Sequence, residues 1–165
     1  MNEPLPTAAA KILAGLIREF EGCELKAYKC PAGVWTIGYG YTGTLPPECQ
    51  DIGASVKPGM AITLEQAERL LAVSMKKYWQ GALRWSPGLA KASPARQAAI
   101  VDFCYNCGEG NYRISSLLLA VNKGDWALAS QKILPWNKAR VKGVMTVLKG
   151  LVRRREYESK LLKTG

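Results

Sequence analysis

The chain has 165 residues, 48% of them hydrophobic and five of them tryptophan, which suffices for one domain, or two lobes sharing a long helix, around a real core and excludes a disordered polypeptide. Its 23 Lys and Arg against 13 Asp and Glu leave a formal charge of +10, which predicts attraction to polyanions, while the absence of histidine removes the usual machinery of cysteine peptidases and imidazole-ligated zinc enzymes. Five cysteines cannot all pair within the chain and suit a protein made in a reducing cytoplasm.

The first periodic segment runs from Thr7 to Glu21, with Ile12, Leu13, Leu16, Ile17 and Phe20 at helical spacing, Thr7 as N-cap and Gly22 as stop. Glu21 therefore sits in the last turn. A carboxylate there faces the negative end of the helix dipole, which disfavours its ionised form and suits a general acid. Leu25 to Lys29 and Val34 to Tyr39 read as the strands of a hairpin turned at Pro31-Ala32-Gly33, so that Cys30 and Thr36 fold back towards Glu21. The apolar run Ile12 to Ile17 is bounded by Lys11 and Arg18 and is too short for a bilayer, and the leader MNEP lacks a basic n-region.

Residues 42–61, with Pro46-Pro47, Gly53 and Pro58-Gly59, read as irregular. A capping box at Thr63-Leu64-Glu65-Gln66 then opens an amphipathic helix to about Gln80, with Leu64, Ala67, Leu70, Leu71, Met75 and Tyr78 on one side. Ser93-Pro94 starts the next helix, which runs to Cys107 before Gly108 and Gly110. Ile114 to Lys123 forms another, Asp125 caps one that Pro135 ends, and two last helices are expected at about 137–147 and 150–163. Cys104 and Cys107 share a helix face amid Ile100, Val101, Phe103 and Tyr105 and read as buried small apolar groups, not zinc ligands. The densest basic cluster, Lys149 to Arg155, reads mostly as a solvated helix face, with Leu151, Val152, Tyr157, Leu161 and Leu162 inward. No zinc-finger spacing, RRM-type aromatic block or basic heptad helix is present, so no nucleic-acid partner is expected.

Glu21, Cys30 nine positions later, and Thr36 inside TIGYG resemble the catalytic signature of phage-type lysozymes, the glycoside hydrolase family 24 endolysins, in which Glu is followed by Asp or sometimes Cys and then Thr. The blocks FCYNCGEG at 103–110, SSLL at 115–118, KGDW at 123–126, PWNKA at 135–139 and GLVRRREYE at 150–158 are similar to later blocks of that family in the same order, so the resemblance spans residues about 12 to 162. It implies an α+β, mostly helical, lysozyme-like fold of two lobes in a single domain over 1–165: an N-terminal helix 7–21, a β lobe 22–61, a connecting helix 63–80 and a helical lobe 81–165. It implies hydrolysis of the β-1,4 bond between N-acetylmuramic acid and N-acetylglucosamine in peptidoglycan, leading to host lysis, with Glu21 as the acid, Cys30 and Thr36 beside it, and no cofactor or metal.

Further assignments follow from the same resemblance. Tyr105 and Asn106 match positions that touch the sugar, with a core aromatic as the alternative for Tyr105; Thr42, Ser116 and Ser130 match cleft positions approximately; Arg154 is a candidate for tuning Glu21. Two residues depart from the family pattern. Tyr41 stands where many relatives have histidine, and Cys30 where Asp is commoner. A thiol with its ordinary pKa is mostly neutral at neutral pH, so Cys30 supplies charge only if Lys29 or another cation lowers it; nucleophile, base and water-positioning group all remain open. The resemblance also implies a monomer made in the host cytoplasm, without signal peptide or transmembrane segment, released by a holin to act in the periplasm, with the basic charge drawing it to the anionic envelope. A lytic transglycosylase, favoured by the lack of an obvious second carboxylate, and a non-catalytic cationic wall-binding or membrane-disrupting protein, favoured by the charge, are the alternatives.

Overall fold

Helix α1 spans Thr7–Glu21 in the computed structural model, which describes residues 2–165. Its Leu13, Leu16 and Ile17 are buried, as their spacing predicts. Thr7 is the first helical residue and not the cap, because Pro6 supplies the carbonyl that accepts from Ala10 N. Gly22 ends the helix at φ +64°, with its N–H bonded to Arg18 O at 3.2 Å.

Contacts divide the chain into two units, Ala14–Lys76 and, separately, the residues up to Leu13 together with Lys77–Gly165. In the first, strands β1 (Glu24–Lys29), β2 (Trp35–Gly38) and β3 (Tyr41–Thr42) form one antiparallel sheet in that order. The free edge of β1 is covered by residues 60–62: Ala27 N donates to Met60 O at 2.8 Å and Ile62 N to Leu25 O at 2.9 Å. The irregular segment is packed, since Leu45, Cys49, Val56, Met60 and Ile62 are buried. Helix α2 (Leu64–Trp85) opens with the expected capping box, in which Gln66 N donates to Thr63 Oγ1 at 3.1 Å and Thr63 N to Gln66 Oε1 at 2.9 Å.

Helix α2 runs five residues past its expected end at Gln80. Gly81 is not a stop: a Cβ there would lie 2.5 Å from Glu109 Oε2, so glycine makes room for a carboxylate that accepts from Arg84 Nη1 and Trp85 Nε1, each at 2.8 Å. The second unit continues with α3 (Pro94–Cys107), α4 (Glu109–Ile114), α5 (Ser116–Lys123) and α6 (Trp126–Lys132). Ser93, Ser115 and Asp125 cap α3, α5 and α6 by accepting from the N–H groups of Arg96, Leu118 and Leu128. The helix expected over Ile114 to Lys123 is α5, which begins two residues later, and α4 is a further helix that ends at Ile114.

Residues 137–147 are not helical. They form strands β4 (Lys138–Val141) and β5 (Val144–Val147), paired antiparallel around a two-residue loop in which Lys142 has φ +48° and Gly143 φ +81°. Two successive positive φ values match the right-handed twist of a hairpin, and β-branched Val141, Val144 and Val147 favour the extended chain. Helix α7 (Lys149–Thr164) follows.

The core of this unit holds Trp79, Ile100, Phe103, Tyr112, Leu117, Ile133 and Leu162, with the edges of Phe103 and Trp136 crossed at 88°. It also holds four charges. Arg154 Nε and Nη2 fork onto Asp102 Oδ2 and Oδ1 at 2.9 and 2.8 Å, and Arg155 Nη2 donates to Glu158 Oε1 at 2.8 Å. Arg154 and Arg155 are only 3% and 0% exposed, so the cluster read as a solvated face is partly turned into the core. Burial, then the nearby Asp102 charge, pushes the Glu158 carboxyl well above the usual carboxylate range. No described helix is long and apolar enough to cross a membrane.

Candidate active site

Glu21, Cys30, Thr36 and Thr42 all lie in the unit Ala14–Lys76. Glu21 closes α1, half-buried, and its carboxyl rests on the backbone of the turn between β2 and β3: a methyl group built on Gly40 would stand 3.1 Å from Glu21 Oε2. Gly40 has φ +83°, so both the turn and the close approach of the carboxyl call for glycine. Tyr39 holds the same turn to the helices. Its hydroxyl donates to Glu68 of α2, which also accepts from Arg18 of α1. Burial and the Glu68 hydrogen bond push the Tyr39 phenol up to about 12, while Arg18, with Tyr39, holds Glu68 below the usual carboxylate range.

Cys30 ends the first strand of the hairpin. The loop is closed by Cys30 N donating to Val34 O at 3.0 Å and Gly33 N donating to Cys30 O at 2.8 Å, with Gly33 at φ +78°. The thiol is held below its ordinary pKa chiefly by the backbone of Val34, then by the backbone of Ala32 and the hydroxyl of Thr36, against the opposing effect of burial. The expected cation is absent from these causes: Lys29 Nζ lies over the Trp35 ring, 5.6 Å from its centroid. Backbone dipoles of a tight turn favour a thiolate here as they would a carboxylate, which gives Cys and Asp a common physical role at this position.

Thr36 is 3% exposed, and its hydroxyl donates to Val34 O at 2.9 Å. The hydroxyl carries one proton, so it serves that carbonyl or the Cys30 sulfur by rotation about its C–O bond. The register sets Tyr28 opposite Thr36 and Thr36 opposite Thr42, placing the three on one face in a row across the sheet. Tyr28 is the residue that sequence reasoning missed. Its phenol is pushed up by burial, then by the charges of Glu21, Glu24 and Cys30, so it stays a donor within electrostatic reach of both the acid and the thiol. Alternation within a strand does not set the register that pairs Tyr28 with Thr36, so residue order alone leaves it out. Tyr41 donates its hydroxyl to Thr44 O at 2.7 Å.

The remaining candidates belong to the other unit. Tyr105 and Asn106 lie half-buried in α3, with the Tyr105 ring 5.3 Å from that of Tyr78 at 59°. Ser116 is exposed in the first turn of α5. Ser130 is corrected: it is 1% exposed, with its hydroxyl bonded to Ala127 O at 2.6 Å, so a sugar contact is closed to it. Arg154 forks onto Asp102 as described above. Cys104 is sealed in the core, where burial pushes its thiol far up, and behaves as the small apolar group expected. Cys107 departs from that expectation by accepting from Arg155 Nη1 at 2.6 Å.

Comparisons with known proteins identify the family of the chain. The phage lysozyme family model matches residues 18–158. An endolysin of Acyrthosiphon pisum secondary endosymbiont phage 1 is 36% identical over 150 residues, covering 91% of this chain and 94% of the relative. Among solved structures, an endolysin from the Escherichia coli O157:H7 phage FAHEc1 superposes with a TM-score of 0.79 at 30% identity, covering 99% of this chain and 96% of that one. The muramidase domain of SpmX from Asticaccaulis excentricus gives a TM-score of 0.76 at 29% identity, with 98% of each chain covered. A helix-end glutamate seated on a glycine turn thus stands in a chain that belongs to the phage lysozyme family.

Proposed function

We propose that this member of a peptidoglycan-degrading family is an endolysin that hydrolyses the β-1,4 bond between N-acetylmuramic acid and N-acetylglucosamine. The observation that carries this reading is a helix-end carboxyl, Glu21, seated on the Gly40 turn of the sheet whose second strand holds Thr36 and whose first leads into Cys30. Glycoside hydrolysis needs a proton for the departing oxygen and a group that directs water to the anomeric carbon. Glu21 gives its proton to the glycosidic oxygen. Cys30, as a thiolate, accepts a proton from the attacking water, and Thr36 orients that water. Thr42, Tyr105, Asn106 and Ser116 remain candidates for sugar contacts, and a holin is the proposed route of release.

Product analysis on purified peptidoglycan tests the proposal. The wild-type protein is expected to leave hydrated reducing ends, and Glu21→Gln to lose about 10²–10⁴-fold of the rate, the usual worth of a general acid, with its circular dichroism unchanged. A variant that keeps full activity sinks the assignment of Glu21, and 1,6-anhydromuramic ends from the wild type would make the protein a lytic transglycosylase instead.

A further inference from the structure

The β4–β5 hairpin has no part in the proposed chemistry, and its composition is unusual. Lys138 pairs with Val147, Ala139 with Thr146, Arg140 with Met145 and Val141 with Val144. Side chains alternate across the pleat, so one face carries Ala139, Val141, Val144 and Thr146 without a charge, and the other sets Lys138 and Arg140 beside Met145 and Val147. Val141, Val144, Met145 and Val147 are 41, 65, 55 and 53% exposed. Among the described residues these strands form a sheet of two, so neither edge is continued. Four large apolar side chains left in water within seven residues mark a contact surface.

The charge around the hairpin says what kind of surface it meets. Eight of the 23 cations and none of the 13 acids fall within residues 126–155, so the other 135 residues carry a net charge of only +2. Six of the eight, Lys132, Lys138, Arg140, Lys142, Lys149 and Arg153, are exposed. An apolar patch rimmed by cations and free of acids fits a surface that is anionic at its boundary and apolar beneath. A second copy of the chain would bring the same positive charge to the contact, and a glycan strand offers no apolar layer.

We propose that the β4–β5 hairpin docks on the surface of an anionic phospholipid bilayer, with Val141 and Val144 entering the headgroup boundary and Lys138, Arg140 and Lys142 meeting the phosphates. This docking is independent of the hydrolytic reading and is measured without peptidoglycan.

Sedimentation of the full chain with vesicles of phosphatidylglycerol and phosphatidylethanolamine, beside vesicles of phosphatidylcholine, tests it. Lys138→Ser, Arg140→Ser and Lys142→Asn together are expected to weaken binding to the anionic vesicles about a hundredfold, at roughly fivefold per cation. Val141→Ser with Val144→Ser is expected to weaken it about tenfold, from the loss of buried apolar area. Lys11→Ser, Lys57→Ser and Lys76→Ser, at exposed lysines outside the hairpin, should cost at most a few-fold. Equal losses from the two cation sets, no effect of the Val141 and Val144 changes, or equal binding to phosphatidylcholine would each overturn the proposal. So would a dimer in vesicle-free solution that the hairpin changes dissociate, since the second copy would then be the occupant.

Discussion

The molecule contains two β-hairpins that differ in what surrounds them. In the first, between Glu24 and Gly38, Thr36, Ile37 and Gly38 are buried, residues 60–62 cover the outer strand, and the turn directs its dipoles at one sulfur. In the second, between Lys138 and Val147, every residue but the half-buried Ala139 is exposed, and the turn binds the side chain of Arg140, whose Nη1 donates to Gly143 O at 2.9 Å. A hairpin anchored by a buried strand and a covered edge can hold a reactive group at a fixed place, whereas a bare one can only present its surface. The first hairpin should therefore respond to substitution in rate and pH profile, and the second in stability and adhesion.

The largest effect expected in the first hairpin is at Cys30. Because its pKa is lowered, the thiolate is present above that folded-state value and is lost as pH falls through it. Activity that needs the thiolate should rise with pH across a window below the ordinary thiol range. Cys30→Asp, charged throughout that window, should flatten the rise, and Cys30→Ser should lose at least about tenfold of the rate. Alkylation by iodoacetamide in a Cys23→Ser background reads the same inflection directly, and Thr36→Val should move it upwards.

Next in size is Gly40→Ala. A β-carbon at φ +83° costs about 1–2 kcal/mol, and it must also displace the Glu21 carboxyl from a 3.1 Å approach, so a rate loss of roughly tenfold is expected beside a modest fall in Tm. The smallest effect belongs to the second hairpin. Lys142→Gly relieves a non-glycine φ of +48°, which should add up to about 1 kcal/mol and raise Tm by about 2–4 °C, with hydrolysis unchanged. A change in the rate of hydrolysis at Lys142, or none at Gly40, would erase the contrast between the two turns.

The sequence disclosed the first hairpin and hid the second for physical reasons. Pro31-Ala32-Gly33 between two β-rich runs permits little besides a turn, and α1 carries its own apolar stripe and glycine stop. Lys138 to Val147, by contrast, mixes the helix formers Lys, Ala, Arg and Met with valines, and only the Lys142-Gly143 pair betrays the loop. The extension of α2 past Gln80 was not legible, because what Gly81 makes room for is a carboxylate 28 residues away, and packing across that separation leaves no local mark. Within the candidate site, Glu21, Cys30 and Thr36 were legible from the family signature. Tyr28 was not, since its place depends on strand register, and the source of the thiol's lowered pKa was not, since backbone amides leave no trace in residue identity.

The ion pair of Asp102 and Arg154 has a consequence for biosynthesis. Its partners lie 52 positions apart, and Leu162, beyond Arg154, is fully buried. A nascent chain that has emerged only as far as α6 would bury an uncompensated carboxylate in α3, at a cost of about 3–5 kcal/mol, so closure of the helical unit waits until α7 has left the ribosome. Prematurely terminated products should then be cleared by proteolysis instead of accumulating as partly folded fragments.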